Sequence, residues 1–454
     1  MPSILVQLRT ATAETDFYFS SGVSMTQNDF NQQLLTFLDR SPTPFHATKN
    51  MLDECVEAGF EVLQERDSWS LKPGGRYVVT RNQSSIIAFT LPEDVEAAKT
   101  GFRMSGAHTD SPCLKVKTNP DLKGQGYLRL GIEVYGGALL STWFDRDLSI
   151  AGRVSYRSES GTVKHALVNF ERPVGTVPNL AIHLNREANS GVAINAQTHL
   201  PIVLMQQDDD ALSFNDLLTS QLKAQGVTDV AQILEHECLA YDTQPAALIG
   251  YKEDFIASAR LDNLLSCFIG LKALLSSSND LPSLLVCNDH EEVGSLSASG
   301  AQGPFLQSVL KRIAGTEERY QQMMAASMMI SCDNAHGIHP NYASYHDNNH
   351  APLLNAGPVI KLNANQRYAT NSESSAWFKL ACQQSGVDVQ SFIMRSDLAC
   401  GSTIGPITSA ELGVRTIDVG VPQFAMHSVR ELAGSRDAFK LYEVLVCFNG
   451  LKEI

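Results

Sequence analysis

The 454-residue chain has no uninterrupted apolar run of about 18 residues, so no segment reads as a membrane-spanning helix. Residues 1–25 lack a basic start followed by a long apolar stretch, and no secretory signal is expected there. Positive charge is in deficit: 35 Lys and Arg stand against 49 Asp and Glu, a net charge of −14. Without a basic surplus to neutralise phosphates, nucleic acid is not expected as a bulk partner. The nine cysteines show no CxxC spacing, and Cys267, Cys287 and Cys447 lie in apolar runs. Buried, reduced thiols in a cytoplasmic protein are the expectation. GxxxxGK[ST] and GxSxG are both missing, which excludes a P-loop and a nucleophile-elbow serine. Gly124-Gln125-Gly126 opens like a dinucleotide fingerprint, but Arg129 stands where its third glycine belongs. The acidic triplet Asp208, Asp209 and Asp210 lacks the spacing and glycine of a calcium loop and reads as a solvated loop. No internal repeat or low-complexity tract occurs.

What is present is an ordinary globular composition, 43% hydrophobic and 19% charged. Its length suits two or three folding units. Residues 28–40 place Phe30, Leu34, Phe37 and Leu38 on one helical face, and 45–60 continue in the same mode. Strand signals follow at 76–81, 84–91 and 102–110. From about 112 to 249 alternation replaces helical period, as in YLRLGIEVYGG and LSIAGRVSYR. Beyond 250, helices and strands alternate again, which predicts a largely parallel sheet. The expected architecture is an α/β domain split in sequence, residues 25–111 and 250–454, with a β-rich domain inserted at 112–249. Residues 1–24 are expected to be an extension outside the core.

Polar residues of one chemical kind gather at predicted element ends, where open α/β sheets place their sites. His108-Thr109-Asp110 ends a strand, Asp262-Asn263 starts a helix, and Glu291-Glu292 follows the strand LLVCND. Asp333 ends the strand MMISCD, and His427 follows DVGVPQFAM. Each has a bland alternative; Asp262, for example, suits a helix N-cap. Together they supply what two neighbouring divalent metals need: a carboxylate to span both, and about two further N or O donors for each. Two histidines with carboxylates and no cysteine suit Zn²⁺, or Mn²⁺ and Co²⁺. An adjacent Glu-Glu pair can divide ligation from general-base work. In His-x-Asp, the aspartate can orient the imidazole from behind.

The chain resembles the aspartyl aminopeptidase family of co-catalytic zinc exopeptidases from about Met25 to its C-terminus. The segments that carry the likeness include SGAHTDSPCLKVK, YGGALLSTWFDRDL, VPNLAIHLNR, ARLDNLLSCF, DHEEVGS, SCDNAHGIHPNY, GPVIKLNANQRYAT, CGSTIGPI and MHSVREL. The resemblance implies a zinc-exopeptidase domain in which Asp262 bridges two metals, most readily zinc. His108 and Asp333 would complete one site, and Glu292 with His427 the other. Glu291 would be the general base and Asp110 would orient His108. The inserted domain would make dimers that assemble into a tetrahedral dodecamer. His183 would reach the partner's active site, and Lys361 would meet the acidic side chain of an N-terminal Asp or Glu of a peptide substrate. The loop Cys400-Gly401-Ser402-Thr403 would touch substrate. His336, His339, His346 and His350 are expected to serve as wall and loop residues, and His290 receives no role. Two alternatives are the same chemistry with neutral or broad specificity, and a non-catalytic assembly or cargo-binding protein.

Overall fold

The computed structural model describes residues 25–207 and 212–454. The predicted extension 1–24 and the triplet Asp208–Asp210 lie outside them. The first helix is Gln27–Arg40, begun by Thr26, whose side chain accepts the Asp29 N–H. Its periodic face buries Phe30, Leu34, Phe37 and Leu38. Helix Pro44–Glu57 follows, and strands Arg76–Arg81, Ser85–Thr90 and Arg103–His108 fall on the predicted runs.

A nine-stranded sheet forms the main body. At its centre, Ser283–Asn288, Arg103–His108, Met328–Cys332 and Arg415–Gly420 are neighbours and mutually parallel. These strands are buried on both faces, which explains the largely apolar runs of Ser283–Asn288 and Met328–Cys332. Antiparallel pairs lie further out, where Ser85–Thr90 meets Ser283–Asn288 and Val359–Leu362 meets Arg415–Gly420. One face packs on helices Gln27–Arg40, Pro44–Glu57, Leu261–Leu275, Ser372–Gln384 and Asp437–Asn449. The other packs on Phe305–Ala314, Glu317–Ala325 and the start of Ile404–Leu412. The layers are therefore α/β/α.

Six strands between Cys113 and Asp242 form a separate, wholly antiparallel sheet with its own core. Helix Phe214–Ala224 buries Phe214, Leu218 and Leu222 against it. The Gly124-Gln125-Gly126 run is a hairpin turn here, with Gln125 and Gly126 at φ +54° and +81°. Ala247–Ile249 does not join this sheet. It pairs with Phe255–Ser258 in a third, five-stranded sheet that also holds Glu431–Gly434, Pro422–Phe424 and Ala335–His336. All nine cysteines are free and seven are buried. Among the described residues, no helix is long and apolar enough to cross a membrane.

Phe268 sits in the helix layer, with ring centroids 5.1 Å from Phe30 and 5.5 Å from Phe37. Phe268→Ala should destabilise the protein by about 3–5 kcal/mol, read as a lower midpoint in urea unfolding. An unchanged midpoint would contradict this packing.

Candidate metal centre

The parallel strands deliver their chemistry at their C-terminal ends. His108 is the last residue of Arg103–His108, flanked by the strands that lead to Glu291-Glu292 and to Asp333. Asp262 lies at the start of Leu261–Leu275 but does not cap it, since the cap position is Arg260, which sets aside the bland alternative. Its backbone leaves helical geometry (φ −85°, ψ 104°), and its N–H donates to Glu431 Oε2 at 2.8 Å. That frees both carboxylate oxygens to face inward. Oδ1 lies 3.4 Å from His108 Nε2, and Oδ2 lies 3.5 Å from His427 Nε2. Around His108, Asp333 Oδ1 stands at 3.7 Å and Glu291 Oε2 at 4.0 Å. Around His427, Glu292 Oε1 stands at 3.4 Å.

The donors fall into three groups with mutually close ligand atoms: His108–Asp262–Asp333, Asp262–Glu292–His427 and His108–Glu291–Glu292. Asp262 is common to the first two. Asp262 Oδ1 and Glu292 Oε1 are buried and accept no hydrogen bond. Buried carboxylate oxygens left this way are costly, and a hard or borderline cation is the partner that suits them. On this ground the residues fit divalent metal.

Each histidine presents Nε2 because its Nδ1 is committed. His108 Nδ1 lies 3.0 Å from the Asp110 backbone oxygen, and His427 Nδ1 lies 3.1 Å from the Gly137 oxygen. A carbonyl only accepts, so Nδ1 carries a proton and, in the neutral imidazole, Nε2 is left with the lone pair. The Asp110 carboxylate stands further off, 3.5 Å from His108 Nδ1. It also accepts the N–H groups of Glu291 and Glu292 at 3.1 Å each and the Tyr135 hydroxyl at 2.7 Å. It thus braces the Glu-Glu turn as well as the imidazole.

The crowding of charge shows in the acidities. Burial pushes Glu291 up to about 7, with Asp333 and Asp262 adding repulsion against the pull of His108. Burial likewise drives Glu292 well above the carboxylate range. Asp262 goes the other way: burial opposes its charge, but the facing imidazoles of His108 and His427 hold it below that range. His427 is raised to about 9; burial opposes its charge, and Asp262 and Glu292 outweigh that effect.

Lys361 is 2% exposed, on strand Val359–Leu362. Its Nζ lies 3.4 Å from Asp333 Oδ2, donates to the Asn334 oxygen at 3.1 Å and sits over the Tyr368 ring. His183 is exposed and, among the described residues, joins neither the ion pairs nor the hydrogen bonds of this centre. Of the four clustered histidines, none joins the three donor groups. His336, His339 and His346 instead line a cavity of about 260 Å³ with Phe392, Phe424 and Met426. His290 Nδ1 bonds Ser297 Oγ at 2.9 Å, which braces the loop behind Glu291. Thr403 donates to buried Asp418 at 2.6 Å and Ser402 to the Arg367 oxygen at 3.2 Å.

Sequence reasoning missed Glu431, Tyr135 and Gly137. Glu431 accepts the backbone N–H of both Asp262 and His427, at 2.8 and 2.6 Å. Both segments were singled out, MHSVREL and YGGALLSTWFDRDL. Neither residue type, in a strand end or a turn, signals a supporting hydrogen bond.

Imidazoles and carboxylates around a shared aspartate, with an extra glutamate beside them, define a metal-dependent hydrolase. The chain belongs to the aminopeptidase I zinc metalloprotease (M18) family, whose model matches residues 37–449. It is a metalloaminopeptidase. A probable M18 family aminopeptidase 2 of Ectopseudomonas mendocina is 56% identical over 424 residues, 93% of this chain and 98% of that protein. A chain in a cryo-EM structure of an Ape4 and Nbr1 complex superposes with a TM-score of 0.89 at 38% identity, covering 93% of this chain and 85% of that one. The S. cerevisiae mApe1 dodecamer structure gives a TM-score of 0.80 at 29% identity, covering 92% and 96%.

His427 must lose its proton before Nε2 can ligate, so zinc affinity should rise as pH increases toward about 9. Chelator competition at stepped pH checks this. Affinity independent of pH between about 6 and 9 would remove His427 from the ligand set.

Proposed function

We propose that the enzyme removes N-terminal residues, preferably Asp or Glu, from peptides at a two-metal centre. The observation that carries the two-metal reading is Asp262, whose two oxygens face two separate histidines at 3.4 and 3.5 Å. In this reading His108 and Asp333 hold one ion, Glu292 and His427 the other, and Asp262 both. Zinc is the expected metal, with Mn²⁺ or Co²⁺ as alternatives. Bound metal supplies Lewis-acid polarisation of the scissile carbonyl and lowers the pKa of water.

The chain's own groups do the rest. Glu291 reaches toward His108, yet its side chain remains 15% exposed, open to solvent and substrate. It takes a proton from the attacking water and returns it to the leaving amine. Asp110 holds His108 and the backbone of the Glu-Glu turn in place.

Lys361 supports the acidic preference, because it sets an ammonium beside Asp333 at the edge of the centre. One observation favours the broader specificity: the nearby cavity is walled largely by Phe392, Met394, Leu398, Phe424 and Met426. The exposed stretch around His183 carries Leu180, Ile182 and Leu184, each at least 44% exposed. Apolar surface of that kind suits coverage by a second copy of the chain. We assign the inserted sheet to dimerisation, His183 to the partner's site, and the complete particle to a dodecamer like that of mApe1. The reduced cysteines suit a cytoplasmic location.

Glu291→Gln should retain its zinc while kcat falls by about 10²–10⁴-fold. Unchanged turnover would end its assignment as base. Lys361→Ala should reduce kcat/KM for an Asp substrate more than for a Leu substrate. Equal losses would reject the contact and favour the broader specificity.

A further inference from the structure

One segment of the inserted sheet touches the centre. Strand Tyr127–Tyr135 ends beside the donors, and the chain then turns through Gly136 and Gly137. The Tyr135 hydroxyl donates to Asp110 Oδ2 at 2.7 Å. The Gly137 oxygen accepts from His427 Nδ1 at 3.1 Å, and the Leu139 N–H donates to the His427 oxygen at 2.9 Å. Thr142 Oγ1 then accepts the Val429 N–H at 3.0 Å. His427 is itself at φ +68°, a region a histidine occupies only when its surroundings hold it there. The two glycines allow this closeness. A Cβ on Gly136 would meet Glu292 Cβ at 3.1 Å, and one on Gly137 would meet His427 Nδ1 at 3.3 Å.

We propose that the turn Tyr135–Leu139 is a positioning element through which the inserted sheet sets metal retention in the peptidase domain. The inference rests on the two-metal reading above. Tyr135 acts on three groups through one carboxylate, since Asp110 contacts the His108 ring and the backbones of Glu291 and Glu292. Gly137 acts on one, by holding the His427 tautomer that leaves Nε2 unprotonated. Seating of the inserted sheet and binding of metal are therefore coupled: each favours the arrangement that the other requires.

The test uses the full-length chain with Tyr135→Phe, which keeps the ring and removes only the hydroxyl. Zinc affinity is measured by chelator competition, the visible spectrum is recorded on the cobalt-substituted protein, and the unfolding midpoint is taken in excess chelator. The expected result is a zinc affinity lowered by about 10–100-fold and an altered cobalt spectrum, with the metal-free midpoint unchanged. A purely structural tyrosine would lower the metal-free midpoint and leave the cobalt spectrum alone, which would overturn the proposal, as would wild-type zinc affinity. Gly137→Ala keeps the proposal testable if the first variant does not fold. It should make one of the two zinc equivalents labile and spare the other, and equal loss of both would count against the His427 contact. Zinc stoichiometry of the unmodified chain separates the two readings. Fewer than two ions would refute the two-metal assignment, while the Tyr135→Phe comparison still reads on whatever zinc is bound.

Discussion

The structure turns on negative charges that cannot stay together unaided. Asp110, Asp262 and Asp333 are buried within a few residue widths of one another, with Glu291, Glu292 and Glu431 beside them. Two like charges 4 Å apart repel by about 4 kcal/mol at a typical effective dielectric, and burial adds to that. One response is visible. Backbone N–H groups are spent on Asp110 and Glu431, which gives those carboxylates hydrogen bonds. Asp262 Oδ1 and Glu292 Oε1 have none, and they face the Nε2 atoms of His108 and His427. Divalent cations are partners that suit such a set. A net charge of −14 therefore describes the bulk surface and says little about the centre, where bound metal inverts the local logic.

The scaffold explains how that repulsion is tolerated. Four parallel strands buried on both faces anchor the donor segments. Donors placed at their ends cannot drift apart easily. Asn263 Nδ2 fastens the Asp262 turn to the Cys332 oxygen at 2.8 Å, one residue before Asp333. Ser111 Oγ fastens it again, to the Asp262 oxygen at 2.6 Å. The inserted sheet completes the enclosure from the other side. The donor groups thus sit where two hydrophobic cores meet.

Much of this was readable along the chain. Periodicity and the Thr26 cap located the first helix, and apolar runs located the strands that carry His108 and Asp333. Short elements were harder to see. Ala247–Ile249 and Ala335–His336 are too brief to show a period, and they exist because partners from distant segments pair with them. The donor set was readable because metal chemistry demands particular residue types. Its supports were not, because a backbone carbonyl such as that of Gly137 has no residue signature.

The sequence by itself determined the alternation of elements, the interruption by a β-rich stretch, and the residue types available to a metal. Only the tertiary structure decided which oxygen of Asp262 faces which histidine, which nitrogen of each imidazole is free, and that Lys361 lies buried against Asp333. The reason is distance along the chain. Asp262 is held by Glu431, 169 positions away, and His427 by Gly137, 290 positions away. Contacts of that span leave no local pattern, and they exist only once the sheets have formed and packed.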